Sequence, residues 1–250
     1  MPLNPQQRQR YARHLALPEI GEDGQERLLA SKVLIVGVGG LGSPAAFYLA
    51  AAGVGTLGLM DGDVVDESNL QRQILHTSAS VGKLKVASAA ERLQALDPAL
   101  HITPYPFTLT TDNVEAIIAE YDFVIDATDN FRSKFLIADG CHRTVTPYSH
   151  GGIKAFYGHT ITVHPRKTTC YRCLFHNEGA VDNNAPQGPL GALPGIIGSL
   201  QATEALKHLL NIGTPLTNTL LTCDILTMNI RKIPVSRNPH CPLCGSSQNN

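Results

Sequence analysis

Residues 33–63, VLIVGVGGLGSPAAFYLAAAGVGTLGLMDGD, form a long apolar run broken by glycines and closed by two aspartates. About 18 or more consecutive apolar residues ordinarily signal a membrane span. Glycines at 37, 39, 40, 42, 53, 55 and 58, with Pro44 among them, interrupt this run too often for one helix and suit a succession of turns. The stretch divides into a short, mostly β-branched strand from Val33 to Val36, a helix from Leu41 to Ala52, and a second strand from Val54 to Met60. That is a βαβ unit. Its first turn, Gly37-Val38-Gly39-Gly40-Leu41-Gly42, matches G-x-G-x-x-G, and Asp61 follows the second strand. Without Cβ atoms the turn can be tight, a phosphate can approach the backbone, and the helix N-terminus presents free N–H groups to anionic oxygens. Asp61 is placed to accept hydrogen bonds from ribose hydroxyls. The context therefore predicts nucleotide binding; the competing reading is a set of glycines needed only for helix–strand packing.

Working outward, the 250 residues are 43% hydrophobic, enough to bury a full core as one α/β domain with appendages. The net charge of −1 gives no basic footprint, which argues against nucleic acid as the main partner. The N-terminus, MPLNPQQRQRYARH, lacks the apolar core of a secretory signal, so a cytoplasmic protein without a membrane anchor is expected. Residues 5–30 read as helical, GKLKVASAAERLQALDP as a helix ending near Leu96, HITPYPF as a strand, TTDNVEAIIAEY as a helix and DFVIDATDN as a strand. This alternation predicts a Rossmann-like, doubly wound, mostly parallel sheet. Ligands in such sheets sit at the carboxyl ends of the strands, where Asp61, Asp126 and Asp129 fall. From about residue 146 the pattern changes to period-2 alternation and predicts an antiparallel C-terminal extension. His176–Pro194 is a long Gly-, Asn- and Pro-containing connection of the kind that is usually functional, and GSLQATEALKHLLNIG reads as a helix capped near Gly213. Three parts are expected within one domain: a helical segment over 1–30, a nucleotide-binding half over 31–145, and a second half over 146–250.

Six cysteines in a reducing compartment point to metal or redox chemistry before disulfides. Cys170-Tyr171-Arg172-Cys173 and Cys241-Pro242-Leu243-Cys244 are two CxxC pairs with 67 residues between them. Two such pairs are the usual way to build a closed four-thiolate zinc site, which would pin the C-terminal tail to the body of the domain. A thioredoxin-like redox pair is the competing reading. Cys141 and Cys223 stand alone in apolar segments and read as core residues.

The glycine turn, Asp61, NLQRQ, Lys85, DATDN and the two CxxC pairs occur together and in one order. In this the chain resembles the MoeB/ThiF family, ATP-dependent adenylyltransferases of ubiquitin-like sulfur-carrier proteins within the ubiquitin-activating-enzyme superfamily. The similarity runs from Arg10-Tyr11-Ala12-Arg13 to Cys244-Gly245. The resemblance implies that Gly37, Gly39, Gly40 and Gly42 back the nucleotide and that Asp61 binds its ribose. It implies that Asn69, Arg72 and Lys85 contact phosphates, and it adds Asp63, Ser68 and Asn130 to the nucleotide site. It gives Asp129 the Mg²⁺ and the reacting phosphate, has Arg13 reach across a homodimer to the neighbouring subunit's ATP, and assigns the four paired cysteines to structural zinc. The implied substrate is a carrier protein ending in Gly-Gly. Its carboxylate is already a nucleophile at neutral pH, so adenylation needs alignment and charge neutralisation and no general base.

One departure concerns the crossover loop. Better-known family members carry there a cysteine able to link covalently to the carrier; counting back from Gly188 places Asn184 at that point, and His176–Pro194 contains no cysteine. Adenylation without a covalent intermediate, with sulfur delivered by an external donor, is therefore expected. Three other readings compete. An NAD-dependent oxidoreductase fits the glycine turn and Asp61 equally well. A superfamily enzyme that activates a carboxylate on modified tRNA keeps the chemistry and changes the substrate. The last is a zinc-stabilised binding module with no activity.

Overall fold

The computed structural model describes residues 2–175 and 188–245. In chain order it contains α1 (Pro5–Arg10), α2 (Ala12–Leu15), α3 (Gly21–Ala30), β1 (Lys32–Val36), α4 (Gly42–Ala52), β2 (Thr56–Met60), α5 (Lys85–Leu96), β3 (His101–Tyr105) and α6 (Val114–Ile118). There follow β4 (Phe123–Asp126), α7 (Phe131–Thr144), β5 (Tyr148–Lys154), β6 (Tyr157–Val163), α8 (Tyr171–Leu174), α9 (Ala192–Leu210), β7 (Thr219–Asp224) and β8 (Asn229–Pro234). All eight strands join one sheet in the order β3-β2-β1-β4-β5-β6-β7-β8. Pairing is parallel from β3 through β5 and antiparallel from β5 through β8.

Alternation along the strands explains why both faces are covered. Val33 and Ile35 of β1 join α4, α5 and α9 in one core, while Leu34 and Val36 join α6, α7 and the cysteine-bearing segments in the other. A parallel strand buried on both sides is apolar throughout, as β1 is after its first residue. The strand order reverses at β1, which pairs with β2 on one side and β4 on the other. Ligands bind at such a switch point, beyond the carboxyl ends of the strands.

Three expectations change in detail. The N-terminal segment folds as three short helices, with Tyr11 between α1 and α2 turned into the core. The helix read from TTDNVEAIIAEY shrinks to α6, because the Asn113 side chain accepts from the Thr110 N–H at 2.8 Å and commits the start to a turn. The helix read from GSLQA begins earlier, at Ala192. Pro194 falls in its first turn, where its missing N–H costs nothing, and the helix closes on Asn211 in the left-handed region (φ 57°) in place of Gly213. Among the described residues no helix is long and apolar enough to cross a membrane.

Candidate active site

A cavity of about 860 Å³ opens at the switch point and runs from the glycine turn to the β5–β6–β7 face. Gly37, Gly39 and Gly40 line it. Gly37 has φ +93°, and a Cβ there would lie 2.6 Å from the Ala127 carbonyl oxygen, so the turn passes β4 too closely for a side chain. Gly42 lies outside the lining. A Cβ on it would strike the Gly37 carbonyl, which makes it the residue that lets α4 close on the turn. Asp61 follows directly after β2, with its Oδ2 accepting from the Val38 N–H and its Oδ1 from the Asp63 N–H, each at 2.9 Å. The Val38 carbonyl lies 2.9 Å from Nε2 of buried His76, whose Nδ1 is 3.0 Å from the Ser88 hydroxyl. Burial pushes His76 below its ordinary value, with Lys85 acting the same way against the Val38 bond, so a neutral imidazole holds the turn.

Residues 64–84 form a long loop that touches the cavity at Arg72 and Gln73 and is pinned at its base by a bridge between Val64 and Leu84 and by the Lys85 N–H on the Asp63 carbonyl. This closure brings Lys85 to the two aspartates. Its ammonium lies 2.8 Å from Asp63 Oδ2 and 3.8 Å from Asp61 Oδ1, with its side chain 8% exposed. Arg72 and Gln73 line the same wall. Arg72 donates to the Ser68 carbonyl at 3.1 Å, and the Gln73 side-chain oxygen is buried with no hydrogen-bond partner among the described residues. Asp129 and Asn130 line the opposite wall at the start of α7, where Asn130 caps the helix by accepting from the Ser133 N–H.

Not every residue named from the sequence stands on the cavity. Ser68 and Asn69 belong to a short 3-10 turn capped by Asp66: the Ser68 N–H and hydroxyl donate to Asp66, and Asn69 Oδ1 accepts from the Asp66 N–H at 3.3 Å. Neither lines the cavity. Arg13 is exposed on α2, away from it. A separate hollow of about 280 Å³ lies beside α2 between His14, Tyr48 and the α9 residues Ser199 and Leu206. Asn184 lies outside the described residues.

The structure also assembles a cluster absent from the sequence reading apart from Asp126. Asp126, 1% exposed at the end of β4, accepts from Thr128, from Lys134 at 3.3 Å and from His150 Nδ1 at 2.8 Å. Burial alone would raise its carboxyl, but Lys134 and the bonds from His150 and Thr128 outweigh burial and hold it well below the usual carboxylate range. Lys134 also donates to the Gly151 carbonyl at 2.7 Å. His150 Nε2 then meets His159 Nε2 at 3.1 Å. Lys134, His150 and His159 all reach the cavity wall. The sequence offered one signal: His150 and Gly152 alternate along β5, which puts both on one face once the strand is recognised.

In the core that α7 helps to form, the sulfurs of Cys170, Cys173, Cys241 and Cys244 lie within 4.8 Å of one another, all buried. Neighbouring sulfurs are 3.4–3.6 Å apart, far beyond a disulfide bond. Burial, and then the adjoining sulfurs, push the Cys170 thiol up, so four thiolates here need a cation to offset their charge. The donor set fits tetrahedral zinc. Cys141 and Cys223 are buried elsewhere, and burial raises both thiols, reinforced by Asp126 and Asp224 respectively.

This architecture can be set beside known proteins. Residues 11–243 match the ThiF family. The chain belongs to the ThiF family. Within that family it is 46% identical over 244 residues to a sulfur carrier protein adenylyltransferase of Thermus thermophilus, spanning 94% of this chain and 90% of that one. It is 44% identical over 246 residues to the SAMP-activating enzyme E1 of Haloferax volcanii, spanning 97% and 91%. It is 41% identical over 242 residues to the adenylyltransferase and sulfurtransferase MOCS3-1 of Zea mays, spanning 95% of this chain but 52% of that protein. Among solved structures, Escherichia coli MccB with succinimide superposes with a TM-score of 0.84 at 23% identity, over 95% of this ThiF-family chain and 74% of that chain, a likeness of fold.

Proposed function

We propose that this ThiF-family protein uses ATP to adenylylate the C-terminal glycine of a ubiquitin-like sulfur-carrier protein, preparing it for thiocarboxylate formation. The observation that carries the reading is one cavity lined both by the glycine turn with Arg72 and Lys85 and by residues of the antiparallel strands β5, β6 and β7, a surface long enough to take a nucleotide and an extended tail end to end. The relatives named as adenylyltransferases support it, as does the one named as an activating enzyme E1. The carrier carboxylate attacks the α-phosphorus, and pyrophosphate leaves. Gly37, Gly39 and Gly40 let the triphosphate approach the backbone, Asp61 orients the ribose, and Arg72 and Lys85 neutralise charge on the phosphates. Asp63, Ser68, Asn69 and Asn130 complete the nucleotide site, in which Ser68 and Asn69 act from the capped turn beneath Arg72. Asp129 is the carboxylate for Mg²⁺, which when bound supplies charge neutralisation at the reacting phosphate. The protein is a cytoplasmic homodimer in which Arg13 completes the partner's site. Its 1–30, 31–145 and 146–250 parts act as one domain, and the four clustered cysteines hold zinc.

The reaction stops at the acyl-adenylate, and an external donor delivers sulfur. All six cysteines are buried, four of them in the cluster, and none lies in the crossover segment. ATP–pyrophosphate exchange against purified carriers tests adenylation, with NAD as the competing nucleotide; exchange that depends on ATP and a Gly-Gly carrier is expected, and NAD binding without exchange would contradict the reading. Non-reducing mass spectrometry after incubation with carrier and ATP tests the second step. A reducible adduct between this chain and the carrier would overturn it.

A further inference from the structure

The cluster of Asp126, Lys134, His150 and His159 has no part in the phosphate chemistry above, and its hydrogen bonds have a fixed direction. A carboxylate only accepts, so His150 must carry its proton on Nδ1 to bond Asp126. His150 is 1% exposed with the Lys134 ammonium on the same carboxylate, an arrangement that excludes a second buried cation and leaves its Nε2 as a lone pair. That lone pair faces His159 Nε2 at 3.1 Å, so His159 must donate from Nε2, and its Nδ1 is left bare. The rings are held by packing: His150 against Tyr171 at 4.6 Å, and His159 stacked on Phe175 at 5.8 Å. Gly152 makes room, since a Cβ there would come within 2.5 Å of the His159 ring. His159 Nδ1 has no hydrogen-bond partner among the described residues.

Strand register decides what this lone pair meets. Gly152, His159 and Thr222 stand opposite one another across β5, β6 and β7, and all three line the cavity. Resting on the carrier-protein reading above, we infer that His159 Nδ1 is a built-in acceptor for a backbone N–H of the Gly-Gly tail as it crosses this face toward the phosphates. Glycines offer no side chain, so only their amides and carbonyls can be recognised. An acceptor in this row takes an N–H and repels a carbonyl, which selects the edge of the extended tail that faces the sheet and hence its register. His159 is in this sense a specificity-determining residue, with Asp126 and His150 as positioning residues that act through it.

The test combines three measurements on the full-length protein. Long-range proton–nitrogen NMR of the wild type should show His150 protonated on Nδ1 and His159 on Nε2; a proton on Nδ1 of His159 overturns the inference. In pyrophosphate exchange, His159→Leu should raise the KM for a Gly-Gly carrier about tenfold with kcat and the KM for ATP unchanged, while His159→Gln, which keeps an acceptor, recovers most of the loss. The carrier is also prepared with N-methylglycine in place of each of its last two glycines in turn. One of these should weaken the wild type about as much as His159→Leu does and leave that variant unaffected, a non-additivity expected only of partners in one hydrogen bond. Equal losses in both proteins, or an unchanged KM in His159→Leu, would overturn the inference alone. No exchange by the wild type with any Gly-Gly carrier would overturn the substrate reading, and this inference with it.

Discussion

Lys85 shows how much a single side chain depends on its surroundings. Read as a sequence position it is one lysine at the start of a helix; in the fold its ammonium is enclosed between Asp61 and Asp63 at the cavity wall. Lys85→Ala should lower the rate of pyrophosphate exchange by about 10²–10³, the scale seen when one preorganised donor to developing charge is removed. Steady-state exchange kinetics check this, and a loss below tenfold would remove Lys85 from the phosphate site. His159 carries a different expectation. Burial, then His150 and Lys134, push it from its ordinary 6.5 down to about 3. Between those values the unfolded chain binds a proton that the folded one refuses, so stability is full above pH 6.5 and falls as pH drops toward 3. Chemical denaturation from pH 7 to pH 4 should show His159→Gln taking up about one proton fewer on unfolding; an unchanged slope would mean that the imidazole is protonated in the fold. The placement of Asp61 and the glycines at the end of β2 and in the turn after β1 was legible in the sequence because it is local. Lys134, His150 and His159 were not, because their meeting depends on the register of β4, β5 and β6.

At the scale of elements, the parallel strands and their crossover helices were legible because each reads as a continuous apolar run or a 3.6-residue period. The start of α9 was not, since Pro194 and Gly195 look like a loop until the packing is seen. Gly198 lies where α9 crosses α4, and a Cβ there would run into the Leu41 carbonyl. The cysteine knuckles were legible by spacing, whereas their link to the active site was not. Tyr171, between Cys170 and Cys173, packs on His150, so the knuckle braces the cavity wall from behind. Cys244→Ser should lose the metal and lower the melting temperature by several degrees while leaving ATP affinity within about twofold, because none of the four cysteines lines the cavity. Metal analysis, thermal melting and ATP titration on one preparation check it. Wild-type protein with well under one zinc per chain would refute the site.

For the whole molecule the account requires two copies. Arg13 sits on α2 outside the cavity it is proposed to serve; under the proposed homodimer each site would draw on the partner's N-terminal segment. Arg13→Ala and Asp129→Ala homodimers should both be nearly inactive, and mixing them should restore part of the activity, because the heterodimer keeps one whole site. Inactivity of verified heterodimers would return Arg13 to its own subunit or to the surface. The central claim, transfer of AMP to a carrier's C-terminus, is tested most directly by intact-mass spectrometry of a Gly-Gly carrier after brief incubation with this protein, ATP and Mg²⁺. The account predicts a carrier species heavier by one adenylyl group, formed only with ATP, lost on addition of pyrophosphate and converted to thiocarboxylate by sulfide. A carrier of unchanged mass, from a protein shown to bind both ATP and that carrier, would contradict it.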